Sequence, residues 1–163
     1  MRVLGIDPGI SCTGYGVLEL KNNIIHLIEL GVIRTSPKDT MPVRLRTIFE
    51  GVSEVIASLE PHEMAVETVF VGKNVQSALK LGHARGAAII AGAIANLNVR
   101  EFSPKEVKQN ISGTGNATKE QVQFMVKSIL KLDKIPKPND ATDAVAIALS
   151  LLQTLKFRNA IKK

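Results

Sequence analysis

Four acidic residues of this sequence stand where an apolar segment ends or begins. Asp7 follows the run VLGI, Glu67 follows MAV, and Asp140 and Asp143 precede the segment AVAIALSLL. A charge at the end of a buried strand is costly unless it is paired, hydrated or bound to a metal. Asp140 and Asp143 are three residues apart, so a helix places both on one face. Singly, each acid is better explained as structural, since acids also favour the first turn of a helix. Together, the four predict a site.

Clustered carboxylates repel one another, and divalent cations relieve that repulsion. Oxygen ligands suit Mg²⁺ or Mn²⁺, whereas the histidines and the single cysteine show no zinc-ligand spacing. Two such ions about 4 Å apart can stabilise both the attacking water and the leaving oxygen of a phosphodiester. The four acids therefore predict metal-dependent phosphodiester chemistry.

The surrounding pattern predicts the elements that would position these acids. Apolar runs predict strands at 2–7, 15–20, 24–34, 64–67 and 98–102. Helical spacing predicts helices at 42–59, at 74–96 and in the segments that begin with Ser103, Thr118 and Asp140. Three strands followed by alternating helices and strands predict an α/β fold, a mixed five-stranded sheet flanked by helices. If the first and fourth strands are parallel, Asp7 and Glu67 emerge at the same edge of the sheet.

Composition narrows the class of protein. The chain has 21 Lys and Arg against 15 Asp and Glu, a net charge of +6, which fits a polyanion such as nucleic acid as well as a merely basic protein. With 163 residues, we expect one domain, 1–155, followed by a basic tail, 156–163. Asp7 interrupts the N-terminal apolar segment that a signal peptide would need. The longest charge-free apolar stretch, GAAIIAGAIANL, is shorter than the roughly 20 residues of a membrane span. We therefore predict a cytoplasmic protein with no membrane segment.

The segment 74–96 is rich in Ala and Gly, and apolar residues cover much of its helical circumference. A central buried helix and a subunit interface explain this surplus of apolar surface equally well.

Two other classes of protein share some of these features. GIDPG followed by a Thr- and Gly-rich hairpin also resembles the first phosphate loop of an actin-like ATPase lobe, although such ATPases need a second lobe and a second phosphate loop. A DNA-binding module whose acids only cap helices is a third interpretation. The segment Ser112–Gly115 lacks the Gly-Lys-Ser/Thr ending of a P-loop, and we interpret it as a loop that contacts a DNA backbone. Metal-dependent cleavage would separate the three classes.

Several segments carry a resemblance to a known family: GIDPGISCTGYGVLEL, VETVFVGKNVQSALKLGHARGAA, SPKEVKQNISGTGNATKEQVQFMV and DATDAVAIAL. Together they resemble, over residues 2–155, the RuvC family of bacterial Holliday junction resolvases. The resemblance implies an RNase H-like fold, a homodimer, and an endonuclease that resolves four-way DNA junctions by paired nicks on opposed strands in recombination and repair. It also implies work alongside the RuvA and RuvB branch-migration proteins. The implied cofactor is Mg²⁺, two ions per active site, with Mn²⁺ as a substitute.

Carried over motif by motif, the resemblance assigns catalysis and metal binding to Asp7, Glu67, Asp140 and Asp143, the set that position selected. It also implies that Phe70 stacks at the unpaired centre of the junction. From the sequence alone, a loop Phe at this place is as readily a satellite of the core.

The resemblance further implies DNA contacts by lysines. Lys108 and Lys119 match segments that approach the scissile phosphate or the flanking backbone. Lys73, Lys80 and Arg85 are candidates for the same DNA-facing rim, although lysines on helices are usually only solvated.

Two positions depart from the family pattern. Thr68 stands in ETVF, where family members often have EQVF, and Asn116 stands in GTGNAT, where a more variable and sometimes basic residue is expected. Neither is a carboxylate, so the departures bear on local DNA contacts and not on catalysis.

Overall fold

The computed structural model describes residues 1–68 and 74–161 of the chain. The strands of this part are β1 (Arg2–Asp7), β2 (Cys12–Lys21), β3 (Ile24–Arg34), β4 (Glu63–Glu67) and β5 (Asn98–Phe102). The helices are α1 (Met41–Leu59), α2 (Val75–Ile94), α3 (Pro104–Ser112), α4 (Lys119–Ile129) and α5 (Asn139–Ile161). The predicted order of elements is confirmed. In the described part of the chain, no helix has the length and apolar character needed to cross a membrane.

The described strands form one mixed sheet in the order β3-β2-β1-β4-β5. β1, β2 and β3 are antiparallel neighbours, whereas β4 pairs in parallel with both β1 and β5. In the β1–β4 register Ile6 lies opposite Val66, so the next residues, Asp7 and Glu67, reach the same edge. The predicted parallel pairing and the α/β class are therefore confirmed.

Helices cover both faces of the sheet. On one face α1 and α2 form a core with Leu4 and Ile6 of β1. On the other face α3, α4 and α5 form a second core that includes Val3. Successive side chains of a strand point to opposite faces, so neighbouring residues of β1 enter different cores. β1 is buried on both sides, which explains why its sequence is an apolar run rather than an alternation.

Glycines let α5 lie directly against the sheet. A Cβ on Gly5 would stand 2.1 Å from the carbonyl oxygen of Ala144, and one on Gly14 would stand 2.0 Å from that of Asp140. Both distances are far below van der Waals contact, so only glycine allows the backbones to approach this closely. The start of α5 consequently lies beside the edge at which β1 ends.

Two segment boundaries differ from the prediction by more than two residues. β2 begins at Cys12 rather than Tyr15, because residues 12–14 already pair with β3. α5 continues to Ile161, so the backbone of the predicted basic tail is helical up to that residue. The division into a domain at 1–155 and a tail at 156–163 stays a prediction.

A hairpin turn and three helix caps are formed by local residues. Asn22 and Asn23 have φ of 50° and 63°, the left-handed conformation that a two-residue hairpin turn requires. Asn74 caps α2, and Ser103 and Thr118 each begin a helix with a capping box. These caps fix the ends of the helices that border the site.

Candidate active site

Three of the predicted carboxylates meet at the edge where β1 ends. Among the described residues, Asp7, Asp140 and Asp143 each place one carboxylate oxygen within 4.8 Å of the other two. Asp7 is the last residue of β1, and the other two lie near the start of α5. All three residues are half-buried. A set of oxygen ligands of this kind fits a hard divalent cation such as Mg²⁺.

Glu67 adds a fourth acid from the neighbouring strand. It ends β4 and borders a cleft of about 260 Å³ that Asp143 also borders. The described residues that line this cleft are Glu67, Pro104, Val107, Lys108, Lys119, Val122, Asp143 and Ala146. Glu67 is outside the three-carboxylate group, yet its charge interacts with those of Asp7 and Asp143. The structure thus brings all four predicted acids to one region.

Burial and mutual repulsion raise the pKa values of Asp7, Glu67 and Asp143. Burial is the main reason why the pKa of Asp7 rises to about 8, and repulsion from Glu67, Asp143 and Asp140 adds to the rise. Burial and then Asp143 raise the pKa of Glu67 to about 7, against the opposing effect of nearby lysines. Burial likewise raises the pKa of Asp143. A cation bound here would favour the ionised form of these acids and so lower their pKa values.

Lys119 reaches the acids from the first turn of α4. Its Nζ lies 2.6 Å from Oδ2 of Asp143 in an ion pair, and this contact is the main reason why the pKa of the Lys119 ammonium is raised. The turn is fixed by a capping box, in which the Thr118 hydroxyl accepts from the Gln121 amide and the Gln121 side chain accepts from the Thr118 amide. A cation in the first turn is disfavoured by the helix dipole. The acids that Lys119 faces explain why a lysine lies in this turn.

Lys108 lines the same cleft from α3 and is half-buried. α3 ends at Gly113, which has φ of 77° and donates its amide to the Gln109 carbonyl at 2.9 Å. The predicted DNA-backbone loop, Ser112–Gly115, therefore connects the two helices that carry Lys108 and Lys119.

Of the remaining predicted DNA contacts, Lys80 and Arg85 are not among the described residues that line the cleft. Lys80 is exposed on α2. Arg85, also on α2, forms an ion pair with Glu101 of β5, an interaction that the sequence did not indicate. Phe70 and Lys73 lie outside the described residues. DNA contact by these four predicted residues stays a prediction.

Sequence reasoning missed Cys12, the first residue of β2. Burial, and then the nearby Asp140 side chain, raise the pKa of the Cys12 thiol to about 11. The thiol is therefore protonated at neutral pH, beside one of the clustered acids. Only its place in the hairpin beside Asp7 could have indicated this contact.

The arrangement joins a cation site to an anion site. The acids can hold hard cations, and Lys108 and Lys119 add positive charge to the wall of the adjoining cleft. A phosphate group that enters the cleft would lie between two sources of positive charge. This geometry suits phosphodiester hydrolysis.

Comparison with known proteins points to one family. The model of the family described as "Crossover junction endodeoxyribonuclease RuvC" matches residues 3–151. The RuvC of Natranaerobius thermophilus is 44% identical over 161 residues, which span 99% of this chain and 100% of that protein. The RuvC of Geobacter sulfurreducens is 52% identical over 163 residues, 99% of this chain and 98% of that protein. The structure of Thermus thermophilus RuvC in complex with Holliday junction substrate matches with a TM-score of 0.91 and 37% identity, covering 96% of each chain.

Proposed function

The chain belongs to the RuvC family of crossover junction endodeoxyribonucleases, and from this premise we propose that it resolves Holliday junctions by paired nicks on opposed strands, in recombination and repair. It is a nuclease of RNase H-like fold, as the match to Thermus thermophilus RuvC indicates. The observation that carries the proposal is the group Asp7, Asp140 and Asp143 beside a cleft lined by Lys108 and Lys119. This grouping disfavours the interpretation that the acids only cap helices, because a capping acid needs neither neighbouring acids nor neighbouring lysines.

The proposed cofactor is Mg²⁺, two ions per active site, with Mn²⁺ as a substitute. Asp7, Asp140 and Asp143 would hold the cations, and Glu67 is the further ligand proposed at the cleft. When bound, Mg²⁺ activates a water as nucleophile and stabilises the leaving oxygen of the phosphodiester. The choice of metal follows from the donor set, since carboxylate oxygens select hard cations.

The chain's own residues manage charge and protons in the cleft. Asp7 and Glu67, whose pKa values lie at about 8 and about 7, would be ionised as ligands. Lys119 offsets the charge of Asp143 and is placed beside an incoming phosphate, and Lys108 adds a second ammonium group. An acidic site can in this way admit a polyanion.

We assign the wider DNA contact to Phe70, Lys73, Lys80 and Arg85. Phe70 would stack on an unpaired base at the junction centre, a contact typically worth roughly 1–3 kcal/mol. The net charge of +6 supports a polyanionic partner. Thermus thermophilus RuvC has been solved with a Holliday junction substrate, and we propose the same class of partner here.

We also propose a homodimer formed through α2. Val75 and Leu79 are each 59% exposed and Ile94 is 65% exposed, so an apolar face of this helix is open. Gly82 and Gly86 leave open space where another backbone could approach closely. A second copy of the chain would cover this face and present a second active site to the opposed strand. Sedimentation at micromolar concentration tests the dimer, and a monomer with and without junction DNA would contradict it.

Two proposals follow from the family alone. The chain would work alongside RuvA and RuvB, and it would act in the cytoplasm. Stimulation of junction cleavage by added RuvA and RuvB tests the first, and fractionation of cells tests the second.

The central experiment compares a synthetic four-way junction with a linear duplex of the same sequence, each with Mg²⁺ or with a chelator. We expect cleavage of the junction alone, and only with Mg²⁺. Equal cleavage of the duplex, or cleavage without a metal, would contradict the proposal. Binding of ATP by the chain would instead favour the ATPase interpretation.

A further inference from the structure

A network of hydrogen bonds holds the loop that follows Asp7. This segment, Pro8–Ser11, joins β1 to β2, and we call it the Asp7 loop. The hydroxyl of Thr13, which is fully buried, donates to the Gly9 carbonyl at 2.8 Å and accepts from the Gly9 amide at 3.3 Å. The first half of the loop is therefore fixed by β2.

Arg44 of α1 holds the second half of the Asp7 loop. Its Nη2 donates to the Ile10 carbonyl at 3.1 Å and to Oγ of Ser11 at 2.9 Å. Its Nε donates to Oγ1 of Thr35 at 2.9 Å, and the Thr35 hydroxyl donates to the same Ile10 carbonyl at 2.5 Å. The Thr35 amide donates to the Ser11 carbonyl at 3.2 Å. One guanidinium thus joins the Asp7 loop to the segment that follows β3.

The position of Arg44 is not explained by its own helix. It lies among the first four residues of α1, where the helix dipole disfavours positive charge. Among the described residues, it takes part in none of the ion pairs with acids. Its planar fork of donors matches three acceptors at once, which a lysine cannot do. Its hydrogen bonds with the Asp7 loop therefore explain the position of Arg44.

We infer that Arg44 is a positioning residue for the cation site, because it holds the Asp7 loop so that Asp7 stays in place beside Asp140 and Asp143. The inference rests on the proposed metal-dependent function. Asp7 directly precedes this loop, so the bonds from Thr13 and Arg44 to Gly9 and Ile10 fix the backbone on its C-terminal side. Metal ligands need to be kept within about 0.5 Å of their productive geometry.

The test compares Arg44→Gln and Arg44→Lys with the control Arg46→Gln. Arg46 lies on the same helix and pairs with Glu50 at 3.7 Å, so its replacement removes a charge without touching the Asp7 loop. The shift of the thermal midpoint on adding Mg²⁺ to DNA-free protein measures metal affinity. Junction binding in the presence of a chelator, and kcat and KM for junction cleavage, complete the set.

We expect Arg44→Gln to need more Mg²⁺ for the same thermal shift and to have a lower kcat, each by roughly 10-fold. Junction binding and KM should stay at the wild-type values. Arg44→Lys keeps the charge but loses the fork of donors, so it should behave more like Arg44→Gln than like wild type. Arg46→Gln should behave like wild type in every measurement.

Thr35→Val keeps the inference testable if the Arg44 variants fail to fold. It removes one acceptor of the network, and we expect the same loss of Mg²⁺ affinity with a smaller factor. An unchanged Mg²⁺ titration in a folded Arg44→Gln or Thr35→Val protein would overturn the inference. Weaker junction binding that Arg44→Lys restores fully would overturn it as well, since it would assign Arg44 to a phosphate. Wild-type protein that binds Mg²⁺ but cuts no junction would contradict the proposed function, and the Mg²⁺ titration would then decide the role of Arg44 by itself.

Discussion

The two sides of the candidate active site are built in different ways. On the acid side, Asp7 ends a strand that is buried on both faces, and Asp140 and Asp143 begin a helix whose backbone touches the sheet. On the lysine side, Lys108 and Lys119 project from short capped helices, and the Lys119 side chain is 51% exposed. Backbone packing positions the acids, whereas long side chains position the lysines. We therefore expect changes on the acid side to stop the chemistry or disturb the fold, and changes on the lysine side to give graded effects that depend on salt.

The largest effect is expected from Asp7→Asn. The amide keeps the size of the side chain but is a far weaker metal ligand, and several kcal/mol of transition-state stabilisation depend on the metal. Cleavage of a four-way junction should fall by more than roughly 1,000-fold. Junction binding in the presence of a chelator should persist, because Asp7 contributes no phosphate contact. Gel-shift and cleavage assays on the same preparation measure both.

The matched control is Asp39→Asn, an exposed acid in the loop before α1. This variant should cleave at the wild-type rate. Robust cleavage by Asp7→Asn would remove Asp7 from the metal site and break the contrast between the two sides.

Gly14→Ala tests the packing that places the acid side. The added Cβ would stand 2.0 Å from the carbonyl oxygen of Asp140, and neither backbone can move without disturbing β2 or α5. We expect the free energy of unfolding to fall by about 3 kcal/mol, the upper part of the range for overpacked cores, together with loss of cleavage. Urea denaturation measures the first effect.

Gly115→Ala is the control for this substitution. Its Cβ would meet only the flexible side chain of Lys105, at 2.8 Å from Cγ, so the free energy of unfolding should change by less than about 0.5 kcal/mol. Equal stability of the two variants would show that close approach of α5 does not depend on Gly14.

Much of the acid side is predictable because its signals are local. The apolar runs before Asp7 and Glu67 mark the ends of two buried strands, and the order of elements favours their parallel pairing. The spacing of Asp140 and Asp143 needs only the geometry of one helix. What the sequence does not indicate is that three acids approach within 4.8 Å while Glu67 stands apart at the cleft.

Long-range contacts between unlike residues escaped prediction for a physical reason. The bonds from Arg44 to Ile10 and Ser11 join distant parts of the chain, and no periodicity links them. The ion pair of Arg85 with Glu101 depends on the packing of α2 against β5, which local patterns do not encode. The helix starts at Ser103 and Thr118 were predictable because a cap and its partner are three residues apart.

Lys119→Ala tests the contribution of the lysine side to cleavage and DNA binding. It removes an ammonium group from the cleft and leaves Asp143 without its 2.6 Å partner, but it touches no packed backbone. We expect cleavage to fall by roughly 100-fold, as for loss of one charge-stabilising donor, with the fold intact. The slope of log affinity against log salt should fall by about one if Lys119 contacts a phosphate.

Lys38→Ala is the control, at an exposed lysine in the loop before α1. It should leave both the cleavage rate and the salt slope at the wild-type values. A Lys119→Ala protein with the wild-type rate and salt slope would place Lys119 with the structural ion pairs.

The smallest expected effect concerns the stability of the metal-free protein. The pKa of Asp7 is raised from 3.8 to about 8, so between these values the folded protein holds a proton that the unfolded chain has released. The free energy of unfolding must therefore fall as the pH rises through this window, and Asp7→Asn must lose less. We expect the free energy of unfolding of wild type to fall relative to that of Asp7→Asn between about pH 5 and pH 8.5 in the presence of a chelator. Mg²⁺ should restore the stability of wild type at the higher pH, since it favours the ionised acid, and should do less for Asp7→Asn.

Asp133→Asn, an exposed acid, should follow wild type throughout. Parallel pH profiles for wild type and Asp7→Asn would mean that the acid side carries no electrostatic strain, and that its difference from the lysine side lies in packing alone.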